Sequence, residues 1–352
     1  MSVKINRRTR QKFQQLLIIV LAWILIGAVI ALFEDLILHT HNSLGPAPGY
    51  SLKASILLNM FIGLFGALIG GSFLVFFVNV KYNDKPYGYT LLIIAGIFTV
   101  IVLSINEILS LLSLGDSHRF LKNGLVWAMV VSITQLLLQV NSKFGQGVFW
   151  DIIRGKYNTP KEESRIFMFL DLNSSTTIAE KLGDKKYHEL LKDIFIDITN
   201  PILENRGEIY QYVGDEVVIV WRYGEGLKNN KCINCFFDIK SHLFSLKEKY
   251  NLKYALLPSF KAGIHCGRVI AGEVGIIKRD ITYSGDVLNT TSRIQNMCKT
   301  FNQEMIVSKT LVEELQLVGN YTTEMLGAIK LRGKEKEMQL VAVKPNIELS
   351  IN

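Results

Sequence analysis

The sequence predicts an α+β protein in two parts: an N-terminal four-helix transmembrane domain, then a ferredoxin-like domain of βαββαβ order with an extension. Three observations lead there. Four long apolar stretches precede residue 141, short strand patterns alternate with amphipathic helical ones from residue 165 onward, and charges and helix breakers return together in between. Of the 352 residues 49% are hydrophobic and only 20% charged, so part of the chain belongs in lipid.

The apolar stretches run Phe13–Phe33, Ala54–Val80, Tyr89–Leu112 and Leu121–Val140, which defines a transmembrane domain over residues 1–140. Each is near or above the ~20 residues that cross about 30 Å of hydrocarbon. The first is too long for a signal peptide, lacks a small-residue cleavage site and is followed by three more. Orientation follows from cations. Lys4, Arg7, Arg8, Arg10 and Lys12, then Lys81 and Lys85, then Lys143, Arg154 and Lys156 fall on one side. The other loops carry only Lys53, Arg119 and Lys122, close to span ends, so both termini are placed in the cytoplasm of a multi-pass protein in the cell membrane. The basic N-terminus is thus a topology signal, and no nucleic-acid partner is expected despite the net charge of +8. Polar residues within or at the ends of the spans are Asn59, Asn106, Glu107, Gln135 and Gln139; Glu107 lies about one turn from the outer end, where it can reach the interface. His39, His41 and His118 on the outer loops are a weak signal for a metal or pH sensor.

Residues 141–164 read as a linker, with Gly145, Gly147 and Pro160 as breakers, an amphipathic Val148–Arg154 and the charged run Lys161, Glu162, Glu163. The second domain is expected over 165–352. A buried strand, Arg165–Leu170, ends at Asp171. A helix over Ser174–Asn200 carries the stripe Ile178, Leu182, Leu190, Leu191 and Ile194. Strands Glu208–Tyr212 and Val217–Trp221 flank the Gly214-Asp215 turn, a hairpin signature. A helix over Asn229–Tyr250, two strands flanking Gly267, a helix over Val287–Cys298 and a mixed C-terminal piece complete it. All four cysteines lie in this half, where cytoplasmic thiols stay reduced, and Cys232-x-x-Cys235 sits in an amphipathic helix with no second pair nearby, which favours a structural role.

Two carboxylates carry the first chemical signal. Asp171 ends the first strand and Asp215 sits at the tip of a hairpin that a ferredoxin-like sheet places beside that strand. Paired hard oxygen ligands at one rim suit Mg²⁺ or Mn²⁺ carrying a triphosphate. The plainer alternative is that Asp171 caps a helix and Asp215 fills a turn, positions that aspartate favours anyway.

Over about Arg165 to Val343 the sequence resembles the class III adenylate and guanylate cyclases. FLDLNSSTTIAEKLG (Phe169–Gly183) resembles their first metal-binding motif, and YQYVGDEVVIVW (Tyr210–Trp221) the hairpin with the second ligand. GIHCGRVIAGEVG (Gly263–Gly275) resembles their glycine-rich strand-turn-strand, and YSGDVLNTTSR (Tyr283–Arg293) the segment ending in an Asn-x-x-x-Arg pair. Any one motif would be weak; four in order are specific. The resemblance implies that Asp171, the backbone of Leu172 and Asp215 hold two divalent ions, Mg²⁺ or Mn²⁺, per active site. It implies that Asn289 orients the ribose, that Arg293 stabilises the pentavalent phosphorus and that Lys334, in LRGKEKE, contacts phosphates. It further implies a homodimer with two shared sites, metal ligands coming from one chain and the nucleotide contacts from the other.

The family's two purine-reading positions are Gln211 and Thr282 here. Thr282 resembles the adenylate branch. Gln211 replaces a common lysine, and its amide offers a donor and an acceptor for adenine or, flipped, for guanine. The expected substrate is ATP, with cyclic AMP and pyrophosphate as products; the alternatives are GTP or a catalytically silent regulatory or dimerisation module. The family's usual Gly-Phe-Thr after the first aspartate reads Ser174-Ser175-Thr176, a departure expected to alter the backbone near the metal. The turn Val213-Gly214-Asp215-Glu216-Val217 does not match the Gly-Gly-Asp-Glu-Phe of diguanylate cyclases, and four short-looped spans lack the repeats of a transporter.

Overall fold

A computed structural model describes residues 7–40, 51–81, 86–111, 117–144, 154–277, 280–317 and 319–346. The chain divides into two compact units, Met1–Trp150 and Asp151–Asn352.

In the first unit α1 spans Arg7–Thr40, and α2 (Leu52–Gly66) continues through π-helical turns at Ala67–Gly71 and Phe73–Val78. Helices α3 (Tyr87–Leu111) and α4 (Ser117–Phe144) follow. Among the described residues three segments, Thr9–Ile37, Leu52–Val78 and Gly124–Asn141, are long and apolar enough to cross a membrane; in α3 the apolar stretch is shorter, Gly88–Ile101. Small residues let α1 and α2 touch backbone to backbone: a Cβ on Gly63 would stand 2.4 Å from the Trp23 carbonyl oxygen. The Trp23 indole donates to Thr134 Oγ1 at 2.9 Å and packs 5.8 Å from the Trp127 ring. Asn59, Gln135 and Gln139 point inward and are buried, and Gln135 Nε2 donates to Asn79 Oδ1 at 3.4 Å, while Leu17, Leu21, Leu25 and Leu57 face outward. Polar groups turned to the interior of an apolar bundle avoid the cost of meeting hydrocarbon unpaired. Glu107 is exposed on α3. His41 and most of Val148–Arg154 lie outside the described residues, as do the side chains of Asn106, His39 and His118.

The second unit is an eight-stranded sheet. Its strands are β1 (Lys161–Leu172), β2 (Glu208–Val213), β3 (Glu216–Arg222), β4 (Phe260–Val274), β5 (Asp280–Ser284), β6 (Met305–Ser308), β7 (Tyr321–Ile329) and β8 (Met338–Pro345). The order is β2-β3-β1-β4-β6-β8-β7, with β5 paired to β4. The run β2-β3-β1-β4, antiparallel throughout, is the ferredoxin-like core that the sequence predicts, and β6, β8 and β7 are its extension. Strand β1 reads as a continuous buried run because both faces are covered. Ile166, Met168 and Leu170 enter the main core with Leu190, Ile194 and Ile198 of the helix Asp184–Glu204, and Phe167 and Phe169 join a smaller cluster with Val218, Val220 and Val287.

Four expectations need correction. The first strand begins at Lys161, not Arg165, because the charged Lys161, Glu162 and Glu163 and then Ser164 pair in register with Ala271–Arg268 of the long β4. The expected helix over 174–200 is two, α5 (Ser175–Leu182) and α6 (Asp184–Glu204), broken where Gly183 takes a φ of 73°. The next is also two, α7 (Lys231–Ser245) and α8 (Lys247–Tyr254), parting at Leu246. Gly267 does not separate two strands: β4 runs straight through it. Its glycine is there for the helix above, α9 (Asp286–Thr300), since a Cβ at 267 would stand 2.6 Å from Val287 Cγ2. Gly263 serves the same contact one turn of pleat away, where a Cβ would lie 2.3 Å from the backbone nitrogen of Gln295.

Candidate active site

Asp171 lies near the end of β1, opposite Glu216 on one side and Lys261 on the other. It is a strand residue rather than a helix cap. Asp215 occupies the two-residue turn between Val213 and Glu216, where Gly214 supplies a φ of 63° at the first central position. Hairpin and strand are neighbours in the sheet, so the two carboxylates meet at one rim. Burial and then the charge of Asp215 push the Asp171 carboxyl up to about 6, against the opposing pull of a hydrogen bond from Gln295 and of the Lys261 ammonium. Burial, Asp171 and Asp215 push Glu216 up to about 7. Carboxylates crowded to this degree are a hard-oxygen donor set short of positive charge, and they fit the divalent cations that the family motifs imply. Leu172, the next residue, is buried at the end of the strand.

Ser174 precedes α5 with φ 56° and ψ 32°, a left-handed conformation that costs a residue with a Cβ roughly 1–2 kcal/mol. Where the family motif has a glycine, this chain holds a serine in a conformation that favours glycine, which adds strain beside the acidic rim.

The second group of residues sits on α9 and the β7–β8 loop. Along α9 the buried stripe is Val287, Thr290, Thr291, Ile294, Gln295 and Cys298. Asn289 and Arg293, four apart, share another face; Asn289 is exposed and Arg293 half-buried. Gly333 approaches Arg293 so closely that a Cβ there would lie 3.4 Å from Nη2. Next in the chain, Lys334 is ion-paired with Asp286 in the first turn of α9. The structure thus brings Asn289, Arg293 and Lys334 to one region of the chain and Asp171 with Asp215 to another. Arg293 is turned about 200° around the helix from Gln295, the residue that faces Asp171.

Gln211 is exposed on β2 and Thr282 half-buried on β5. Their neighbours in sequence clasp across the sheet: the Tyr283 amide donates to the Tyr210 hydroxyl at 3.3 Å, with the rings 5.1 Å apart, and a bulge in β2 falls between Ile209 and Gln211. The Arg165 guanidinium, 3% exposed, lies 5.4 Å from the Tyr283 ring and is held by Glu163. His265 under α9 places Nδ1 2.8 Å from Ser308 Oγ, and burial together with the Lys334 charge lowers its pKa to about 4.

Sequence reasoning missed Gln295 and the tyrosine clasp. Gln295 stands inside an apolar stripe, an anomaly visible in the sequence; its partner is 124 positions away and is not.

An antiparallel ferredoxin-like core with two aspartates at one rim and an Asn-x-x-x-Arg helix over β4 defines a class of nucleotide-processing domain. Residues 158–344, more than half the chain, match the model of the adenylate and guanylate cyclase catalytic domain, and the chain belongs to that family. It is 33% identical over 222 residues to Adenylate cyclase 2 of Rhizobium meliloti (strain 1021), covering 63% of this chain and 61% of that protein. It is 29% identical over 182 residues to the receptor-type guanylate cyclase gcy-7 of Caenorhabditis elegans, covering 49% of this chain and 15% of that one. The chain thus spans less than two thirds of the length of these relatives. In fold it is similar to a bacterial light-regulated adenylyl cyclase, with a TM-score of 0.54 and 23% identity over 62% of this chain and 64% of that one.

Proposed function

We propose that this chain is a membrane-anchored adenylate cyclase that works as a homodimer, converting ATP to 3′,5′-cyclic AMP and pyrophosphate. The observation that carries the reading is the crowded pair Asp171 and Asp215, with a carboxyl raised toward neutrality, at the rim where the family motif expects a metal site. Held by Asp171, the Leu172 backbone and Asp215, two Mg²⁺ or Mn²⁺ ions would supply a lowered pKa for the ribose 3′-hydroxyl and countercharge for the phosphates. The remaining work falls to the partner's copy of the second region. Asn289 orients the ribose for in-line attack on the α-phosphorus. Arg293 places a fixed cation where charge builds, an effect worth about 3 kcal/mol in comparable sites. Lys334 exchanges Asp286 for phosphate, and Gln211 and Thr282 read the purine.

The homodimer is supported by the opposed faces of α9, since one chain offers Arg293 and Asp171 in different directions. ATP is supported by Thr282 and by the Rhizobium relative. The anchor is supported by three helices of membrane-crossing length and composition together with the apolar part of α3; we place four spans in the membrane and both termini in the cytoplasm.

The test is turnover of the purified protein with Mn²⁺ and either ATP or GTP, read by the mass of the cyclic product. Cyclic AMP from ATP, lost in Asp215→Ala, is expected. Cyclic GMP would keep the mechanism and overturn the base assignment; no product from a folded dimer would favour the regulatory module.

A further inference from the structure

Helix α9 reaches both regions at once. One face presents Asn289 and Arg293, and from the other the Gln295 amide donates to Asp171 Oδ2 at 3.0 Å. Gln295 is 6% exposed, so this hydrogen bond is shielded from water. The helix is seated on β4 at the same residue, where a Cβ on Gly263 would stand 2.3 Å from the Gln295 nitrogen, and again at Gly267 under the Val287 side chain. The helix is held by its own backbone at Gln295 and by the β-branched Val287 side chain at Gly267, and a shift of Asp171 is passed to it through one hydrogen bond.

We infer that Gln295 is a positioning residue that fixes the Asp171 carboxylate for metal and ties it to the helix carrying Asn289 and Arg293. This inference rests on the homodimer reading. If the sites are shared, the Asp171 that Gln295 holds belongs to one site and the Arg293 on the same helix to the other. Metal occupancy at one site then sets the transition-state helix of its neighbour, and the two sites bind cooperatively. No other residue singled out above touches both halves.

The experiment is Mn²⁺ binding to the full chain in detergent, followed by the electron paramagnetic resonance signal of free Mn²⁺, with 3′-deoxy-ATP present so that nothing is cyclised. The wild-type protein should bind with a Hill coefficient above one, the limit being about four for two ions at each of two sites. Gln295→Met keeps the length and removes the donor. It should weaken Mn²⁺ binding by about tenfold, the size expected for losing an outer partner of a metal ligand. It should also bring the Hill coefficient to one. Thermal unfolding without metal checks that the variant folds, and Gln295→Leu repeats the test if it does not. Wild-type binding with a coefficient of one, or a coefficient that survives in both variants, overturns the link between sites. Unweakened Mn²⁺ binding in folded Gln295→Met overturns the positioning role as well. The shared-site reading is judged separately by mixing Asp171→Ala with Arg293→Ala chains. Recovery of activity in that mixture alongside a coefficient of one would sink this inference alone, whereas no recovery would sink both.

Discussion

The two chemical regions of the catalytic unit have opposite shortages. At the β1 and hairpin rim three carboxyls, Asp171, Asp215 and Glu216, lie together, and two of them are pushed toward neutrality by burial and by one another. On α9 and the β7–β8 loop the groups are cationic or amide; Lys334 already leans on Asp286, and Arg293 is only half-buried. The first region stays acidic even with Lys261 opposite Asp171, the second stays basic even with Asp286 on Lys334, and Arg293 is turned away from the helix face that meets Asp171. The difference is what the proposed homodimer would use, each region offering the charge that the other is short of.

The sharpest way to break that comparison is to remove one member of each half. Asp171→Ala and Arg293→Ala should each lower kcat by about a thousandfold or more, measured as cyclic AMP formed per chain. An equal mixture of the two variants, refolded or co-expressed, should recover roughly a quarter of wild-type activity, because half the dimers then carry one intact site of two. A smaller effect tests the cationic half alone. Lys334→Ala should raise the KM for ATP about tenfold with a lesser change in kcat, the pattern of a group that binds ground and transition state alike.

The acidic half makes its own prediction about pH. An acid whose folded pKa lies above its unfolded value favours the folded state at low pH, and that contribution is lost as pH rises through the folded pKa. For Asp171 and Glu216 the window runs from about pH 4 to about pH 7. Metal-free protein should therefore lose about 1 kcal/mol across it, after allowance for partial exposure. Urea unfolding at pH 5 and pH 8 reads this directly. Asp171→Asn or added Mn²⁺ should flatten the slope, and a protein equally stable at both pH values would contradict the crowding. The smallest expected effect is at the strained residue beside this rim. Ser174→Gly should stabilise the unit by about 1 kcal/mol by relieving the left-handed conformation, read as a higher thermal midpoint.

Much of the catalytic unit is legible in the sequence because its signals are local. The apolar run before Asp171, the Gly214-Asp215 turn between strand patterns and the four-residue spacing of Asn289 and Arg293 need no partner to be read. What escaped depends on contacts far away in the chain. A glycine inside a strand pattern can mark a turn or a close approach, and only Val287 and Gln295 reveal that Gly267 and Gly263 are the second kind. The break at Gly183 carried a local cue, glycine in a helical run, whereas the one at Leu246 had none. Asp171 alone could pass for a cap until the register with Glu216 fixes it in the strand.

The two glycines under α9 carry one more consequence. Where a helix rests on side chains, rotamers can adjust and a neighbouring substitution is absorbed by repacking. At Gly263 the spacing between α9 and β4 is set by the main chain of Gln295, which has no alternative rotamer to adopt, whereas at Gly267 it is set by the Val287 side chain. A methyl added at Gly263 cannot be accommodated by a rotamer change and must lift the helix itself. The clearance under this helix is therefore a hard stop, and drift elsewhere in the core can change the stability of the unit without changing the height at which Asn289 and Arg293 are held.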